Sequence, residues 1–307
     1  MGELMNTKEV AAYLGIHEKK VYYLAKAGKI PCTRVTGKWI FPKTLIDSWI
    51  EENARGPARA RRAEELPVLL AAGSDDPSLG ILREFYAARP AAPCLYLATI
   101  GSKAGLAAIR DGVADLALAH LLDPATGEYN LPYLPEVIPA GAAVVPVFHR
   151  ELGLVVRPAN PLGIRTVADL ARTGLQIINR QKGSGTRLYL DQELARLGID
   201  SKQINGYERT VATHLEVGLK ILRGEADSGI ATRAAARLVG LDFIPLTRER
   251  FDMLIAKGRF FARGVQALLE IVGSREFRTR VEALGGYDTS ESGRLLAADS
   301  TSQKETS

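Results

Sequence analysis

The spacing of apolar positions changes once along the chain. In residues 1–50, apolar residues recur at helical spacing in two short runs on either side of Gly15, and a third run begins near Leu45. Between the second and third runs, two short apolar segments flank a Thr-Gly dipeptide, which is typical of a β-hairpin. From Pro67 onward, short continuous apolar runs alternate with amphipathic stretches. The pattern predicts a small helical unit with a hairpin, followed by an α/β unit with buried parallel strands.

Capping residues give the limits of the first two helices. Asn6 stands three positions before Glu9, which predicts a capping box at the start of the first helix. The second helix is predicted from about His17 to Ala27, with Gly28 as its C-terminal cap. Two short helices around a glycine-containing turn form a helix-turn-helix pattern, and the hairpin that follows has the position of a wing. The third helix is predicted to close the core with Leu45, Ile46, Trp49 and Ile50.

The formal net charge of +5 is concentrated at the N-terminus. Residues 1–50 contain eight Lys or Arg and four Asp or Glu, so this segment alone carries +4. A local excess of positive charge is what binding to a phosphate backbone uses.

The segments 7–15, 21–24, 28–31 and 39–41 together resemble the excisionase/MerR-type winged helix-turn-helix family, and the resemblance covers residues 4–52. It implies that the second helix enters the major groove of double-stranded DNA while the wing touches the backbone or the minor groove. The residues that the resemblance assigns to DNA contact are Lys19, Lys20, Tyr22, Tyr23, Lys26, Arg34 and Lys38.

The large unit contains an internal repeat. Residues 112–119 align with residues 224–231, and each copy follows an amphipathic helix and leads into a short apolar strand. Two related α/β lobes that enclose a cleft are therefore predicted. The predicted boundaries are 1–52 for the DNA-binding domain, 53–66 for a linker, 67–298 for the two-lobed domain and 299–307 for a disordered tail, with lobe 1 at about 67–150 and 247–298 and lobe 2 at about 151–246.

Ligands of such sheets bind where strands end and helices begin. The corresponding loops are residues 73–76, 99–102, 180–187 and 210–214. Loop 180–187 combines glycines, hydroxyls and arginines before a predicted helix, which favours an anion. The loop matches neither the Walker pattern nor the dinucleotide-binding glycine pattern.

Residues 179–187, 213–214, 224–229, 240–246 and 249–252 resemble the periplasmic-binding-protein-like superfamily, in the version attached to helix-turn-helix domains. The resemblance covers residues 67–290 and implies an α/β fold in which a winged helix-turn-helix domain precedes a two-lobed type II binding domain. Similarity to molybdate- and tungstate-binding relatives implies a tetrahedral oxyanion as effector, with no other cofactor. The candidate ligand-binding residues in the loops are Ser74, Thr99, Ser102, Arg180, Gly183, Ser184, Gly185, Thr186, Thr213 and His214.

Other classes of function are disfavoured. The cysteines, Cys32 and Cys94, are too few for a disulfide framework and suit a reducing cytoplasm, and no signal or membrane-spanning segment is evident. Asp115 and Asp227 precede equivalent strands, so we interpret them as turn-capping residues and not as a catalytic pair. The four histidines, His17, His120, His149 and His214, lack the spacing of metal ligands.

The sequence thus predicts a cytoplasmic, non-enzymatic transcriptional regulator that senses a small oxyanion. Because helix-turn-helix readers bind paired half-sites, a homodimer is expected. Three alternatives remain open: an architectural, excisionase-like protein without an effector, a regulator that senses an organic anion, and an enzyme that holds a phosphorylated substrate at the glycine-rich loop.

Overall fold

A computed structural model of the protein describes residues 4–35, 37–53, 68–90, 92–139 and 141–296. The chain divides into two units, residues 1–65 and 66–307. The predicted linker beyond Asn53 and the predicted disordered tail lie outside the described residues.

The first unit begins its helices where the capping residues predict. The Asn6 side chain accepts the Glu9 N–H at 3.0 Å, and the Glu9 carboxylate accepts the Asn6 N–H at 2.8 Å, so the capping box is present. His17 caps the second helix, whereas Gly28 lies one residue beyond the C-cap and adopts a φ of +65°. The elements of this unit are β1 (Leu4–Asn6), α1 (Thr7–Leu14), α2 (Glu18–Lys26), β2 (Thr33–Val35), β3 (Lys38–Pro42) and α3 (Lys43–Asn53).

The wing is a three-stranded sheet with the order β1-β3-β2. The hairpin of β2 and β3 was predicted, but β1 was not, because three residues at the N-terminus carry too little pattern to identify a strand. Phe41 from β3 and Ile46 from α3 are fully buried in the core. Leu45 and Ile50 are exposed, so the buried face of α3 is narrower than the sequence predicts.

The second unit is a mixed α/β structure. Its strands are β4 (Val68–Gly73), β5 (Cys94–Thr99), β6 (Leu116–Ala119), β7 (Ala142–Val156), β8 (Asn179–Arg180), β9 (Thr210–Val211), β10 (Ser228–Thr232), β11 (Asp242–Ala256) and β12 (Tyr287–Asp288). Its helices are α4 (Leu79–Ala87), α5 (Ser102–Arg110), α6 (Leu134–Val137), α7 (Gly185–Leu197), α8 (His214–Leu222), α9 (Arg233–Leu238), α10 (Arg263–Gly273) and α11 (Arg275–Ala283).

Two long antiparallel strands link the halves of this unit. β7 and β11 each have 15 residues and pair along their whole length within a seven-stranded sheet. At one end β11 pairs with β6, which lies beside the parallel strands β4 and β5. At the other end β7 pairs with β10, near the small parallel sheet of β8 and β9. The ladder between the long strands has two register shifts, at Pro245/Thr247 and at Phe251/Asp252.

The hydrophobic cores separate along the same division. Two clusters of buried side chains are built on β4 and β6 together with one end of β7 and β11. Two further clusters are built on β10 together with the other end of the long strands. We call residues 68–148 with 251–296 the first lobe and residues 152–246 the second lobe.

The internal repeat corresponds to one backbone arrangement used twice. Asp115 precedes β6, and its carboxylate accepts the Leu70 N–H at 2.9 Å. Asp227 precedes β10, and its carboxylate accepts the Gln176 N–H, also at 2.9 Å. Each carboxylate thus ties the turn before one strand to the backbone of a neighbouring segment, which agrees with a structural role for both residues.

Candidate functional site

The exposed face of α2 is basic and aromatic. Val21 and Ala25 are buried against the rest of the unit, which turns the opposite side of the helix outward. A groove at the start of the helix is lined by His17, Lys19, Lys20 and Tyr23. The exposed residues of this face include all five helix positions predicted to contact DNA, namely Lys19, Lys20, Tyr22, Tyr23 and Lys26.

The wing adds two further cations. The Arg34 Nε donates to the Gly37 carbonyl at 3.1 Å, and its guanidinium lies 5.5 Å from the centre of the Trp39 ring. Lys38 is exposed beside them. These contacts hold Arg34 on β2 beside the turn of the hairpin.

In the second unit, the first lobe contributes two serines at the end of its sheet. Ser74 follows β4 and Ser102 begins α5, and both are buried. Their hydroxyl oxygens lie 2.6 Å apart, so one donates to the other. Ser102 also accepts the His120 N–H at 3.3 Å. Thr99, by contrast, is exposed at the end of β5.

The second lobe contributes the loop between β8 and α7. Ser184 is the N-cap of α7, and its hydroxyl accepts the Arg187 N–H at 3.2 Å. Gly183 adopts a φ of +85°, a backbone conformation that residues other than glycine rarely adopt. The Thr186 hydroxyl is buried and has no hydrogen-bond partner within the described residues. This loop therefore offers a donor that the protein itself does not use.

Arg180 is one of two buried arginines of this loop; the other, Arg187, forms an ion pair with Asp191. Its side chain is 2% exposed, and its Nη2 donates to the Ala212 carbonyl at 2.7 Å. Nε and Nη1 have no partner in the part of the chain that the structure describes. Burial lowers the pKa of Arg180 to about 10, so it remains a cation at neutral pH.

His214 is buried at the start of α8. Both of its ring nitrogens lack partners among the described residues. Burial, and then the nearby Arg180 and Arg150, hold the pKa of His214 well below 6.5, so the ring is neutral. The preceding Thr213 caps α8, because its hydroxyl accepts the Glu216 N–H at 3.1 Å.

The two lobes are in direct contact around these residues. The backbone N–H of His214 donates to the Asp75 carboxylate of the first lobe at 2.9 Å, and the backbone N–H of Lys103 donates to the Gly183 carbonyl at 3.4 Å. Gly185 lies so close to the His120 ring that a Cβ at this position would overlap it. The cleft is therefore closed, and closure depends on a position without a side chain.

A buried network lies beside the cleft where the long strands cross. Arg150 on β7 stands opposite Glu249 on β11, and its Nε donates to that carboxylate at 2.7 Å. Its Nη1 donates to Asp76 at 2.6 Å, and Glu249 lies 2.9 Å from the His120 Nδ1. Burial alone would raise the pKa of Glu249, but His120 and Arg150 lower it to about 2. Burial lowers the pKa of His120.

Sequence reasoning missed this network. Arg150 and Glu249 are 99 residues apart in the chain and meet only through the strand register. The one available signal was a cluster of charged residues within each long strand, 149–151 in β7 and 248–250 in β11. His120 was grouped with scattered histidines, although it contacts both Glu249 and the backbone around Gly185.

Of the ten candidate ligand residues, most converge on the closed cleft. Arg180, Ser184, Gly185, Thr186 and His214 are brought to it by the second lobe, and Ser74 and Ser102 by the first. The hydroxyls of Ser184 and Thr213 also cap their helices. Among the described residues, no group of three potential metal ligands is found, and no helix is long and apolar enough to cross a membrane.

Comparisons with known proteins agree with this architecture. Residues 4–54 match a family model described as a helix-turn-helix domain, and residues 83–273 match one described as a PBP superfamily domain. The chain is 30% identical to the uncharacterized protein YvgK of Bacillus subtilis over 303 residues, covering 94% of this chain and 96% of that protein.

Solved structures share the fold of the second unit. A putative phosphate ABC transporter substrate-binding protein with bound phosphate, from Clostridium perfringens, has a TM-score of 0.52 and 16% identity, covering 71% of this chain and 97% of that one. The sulfate-binding protein SubI from Mycobacterium tuberculosis has a TM-score of 0.51 and 14% identity, covering 72% of this chain and 85% of that one.

Proposed function

Because the chain belongs to the PBP superfamily and carries an N-terminal helix-turn-helix domain, we propose that it is a transcriptional regulator that responds to a small oxyanion. The two domain types are a DNA-binding one and a substrate-binding one, and neither is enzymatic. The protein acts in the cytoplasm, where it meets DNA, and it binds DNA as a homodimer.

The observation that carries this proposal is a set of buried polar atoms without partners. Arg180, Thr186 and His214 all leave such atoms at the closed cleft, as far as the described residues go. Each unsatisfied buried group costs about 1–3 kcal/mol. An anion enclosed between the lobes would remove that cost, because it accepts several hydrogen bonds at once and offsets the charge of Arg180.

A compact oxyanion fits the kinds of side chain present. Short hydroxyls from both lobes surround the cleft, and α5 and α7 begin there, which places two helix N-termini beside an enclosed anion. The two solved relatives bind phosphate and sulfate. The sequence resemblance to molybdate- and tungstate-binding proteins makes these two ions the first candidates. The ligand would act by stabilising the closed form over an open one.

Asp75 favours a second candidate ligand. Its carboxylate lies beside the cleft and accepts the His214 N–H, and burial raises its pKa. A carboxylate repels a fully deprotonated oxyanion but attracts a ligand that carries an ammonium or hydroxyl group. An organic anion with such a donor, for example an amino acid, is therefore the alternative effector.

Calorimetric titration of the full chain with molybdate, tungstate, sulfate and phosphate tests the proposal. Saturable binding of one or two of these ions is expected. If none of them binds and an amino acid does, the organic alternative replaces the oxyanion. If no small anion of either kind binds, the sensor function is wrong.

DNA binding is tested separately by fluorescence anisotropy at several salt concentrations. Lys20→Ala is expected to weaken DNA binding and to reduce its salt dependence without changing anion affinity, since one phosphate contact is lost. Lys202→Ala, an exposed position of the second unit, is the matched control. A regulator also requires that saturating anion change the affinity for DNA, and equal affinity with and without anion would contradict that role.

A further inference from the structure

The outer face of α8 carries a row of leucines. Leu215, Leu219 and Leu222 recur at intervals of four and three residues, which places them on one side of the helix. Leu215 is 39% exposed and Leu222 is 55% exposed, whereas Leu219 between them is partly buried. Val217 and Ile221 on the inner side are fully buried in the second lobe. We call the three leucines the leucine stripe.

The neighbouring helix carries a further exposed leucine. α9 packs closely against α8, because Gly218 leaves room for the Val239 side chain. Leu238, at the end of α9, is 56% exposed. Single exposed leucines are common on protein surfaces, but contiguous apolar patches mark interaction sites.

We propose that the leucine stripe is the contact between two copies of this chain, with α8 antiparallel to α8 of the partner subunit about a two-fold axis near Leu219. In this arrangement Leu219 meets its own copy, and Leu215 meets Leu222 of the partner subunit. A two-fold contact uses the same patch on both copies, which a single stripe of this kind supplies.

The charges beside the stripe are self-complementary in this orientation. Glu216 lies near the start of α8, where its carboxylate accepts the backbone N–H groups of Ala212 and Thr213 and remains exposed. Arg223 directly follows the end of the helix. An antiparallel pair places Glu216 opposite Arg223 of the partner subunit, whereas a parallel pair would place like charges together. Antiparallel helix dipoles favour the same orientation. These charges favour a second copy of the chain over an unrelated partner.

The contact is short, and this sets its expected strength. α8 has nine residues, which corresponds to a length of about 14 Å. The dimer is therefore expected to depend on protein concentration. The inference deepens the proposed function and rests on its homodimer, since it names the surface through which two copies meet. It does not depend on which anion binds or on whether any does.

Sedimentation velocity of the full chain over a concentration series tests the stripe. The wild type is expected to shift from monomer to dimer, and Leu222→Glu to remain monomeric at concentrations at least tenfold higher. Leu197→Glu is the matched control, because Leu197 is a 38% exposed leucine at the end of α7. A wild type that is monomeric throughout, or a dimer that both variants weaken equally, would overturn the proposal. Circular dichroism checks that both variants fold.

Two further variants test the orientation. Leu219→Cys is expected to form a disulfide between subunits under mild oxidation, whereas Leu197→Cys is not, since only residue 219 lies near the proposed axis. Arg223→Glu is expected to weaken the dimer by bringing like charges together. A dimer that Arg223→Glu leaves unchanged, or a cysteine at 219 that cross-links no faster than one at 197, contradicts the antiparallel arrangement.

Discussion

The two lobes share one backbone arrangement but treat their polar side chains differently. In both, an aspartate before a strand accepts an N–H from a neighbouring segment at 2.9 Å. At the cleft, however, the serines of the first lobe bond to each other, while the second lobe leaves atoms of Arg180 and His214 without partners among the described residues. A repeated frame therefore does not imply repeated chemistry. We infer that the second lobe supplies most of the affinity for an anion and that the first lobe acts mainly as the surface on which it closes.

Arg180→Gln breaks this asymmetry most strongly. It removes the buried charge and two unused donors, so we expect anion affinity to fall by about 3 kcal/mol, or roughly 100-fold. Calorimetry with the anion that binds the wild type measures the loss. Arg196→Gln, an exposed arginine on α7 of the same lobe, is the control and should bind normally. Equal affinities for both variants would show that Arg180 does not hold the ligand.

Gly185→Ala tests the role of the first lobe as a closing surface. The added Cβ would overlap the His120 ring, and overpacking of this kind costs about 1–3 kcal/mol, so anion affinity should fall roughly 5- to 150-fold. Small-angle X-ray scattering should show that the variant fails to become as compact as the wild type with anion. Gly80→Ala serves as control, since a Cβ there meets no atom within 4 Å. Normal affinity in Gly185→Ala would contradict the closed arrangement.

Lowering the pH should reveal a smaller difference between the lobes, namely in how much each buried histidine contributes to the loss of stability in acid. Burial lowers the pKa of both His120 and His214 in the folded chain, and an unfolded histidine titrates near 6.5. The unfolded state therefore binds more protons, so stability is complete above pH 6.5 and falls below it, by at most about 1.4 kcal/mol per pH unit for each histidine.

His214 should account for more of that loss than His120, because His120 keeps the carboxylate of Glu249 as a partner. Thermal unfolding of the free protein at pH 7.5 and 5.5 measures it, and His214→Gln should lose less stability over this interval than His120→Gln. The opposite order would show that the charge of Glu249 does not reach the ring. Loss of the Glu249 charge is expected to contribute only below pH 4.5, toward about 2.

Removing a single hydroxyl from either lobe is expected to give the smallest change in anion affinity. Thr186→Val should weaken anion binding by about 1 kcal/mol, or roughly fivefold, because its hydroxyl has no protein partner in the described structure. Ser74→Ala should have a smaller effect, because the hydroxyl of Ser74 is already bonded to Ser102. Calorimetry of both variants makes the comparison. A larger loss for Ser74→Ala would reverse the assignment of the two lobes.

Local signals in the sequence predicted much of the fold. The capping box at Asn6 follows from residues close together in the chain, and the repeated aspartates indicated two related lobes. The glycine-rich loop was found for the same reason, since its glycines, hydroxyls and arginine are consecutive.

The contacts that could not be predicted from the sequence depend on the register between strands far apart in the chain. The facing of Arg150 and Glu249 is set by the pairing of two strands 99 residues apart, and no local pattern encodes it. The sequence also could not distinguish a helix-capping role from a ligand-binding role for Ser184 and Thr213, because a hydroxyl before a helix suits both. Strand β1 was missed because three residues hold too little periodicity.

The two register shifts in the long strands divide the link between the lobes mechanically. They lie at Pro245/Thr247 and Phe251/Asp252, on either side of the segment that holds Glu249. An interrupted ladder bends more easily than a regular one. The link therefore consists of a short regular stretch of paired strands with an interruption at each end. The ion pair of Arg150 and Glu249 stiffens the regular stretch. We expect a rotation of one lobe against the other to be shared between the two interruptions, so that each bends less and the strands between them stay paired.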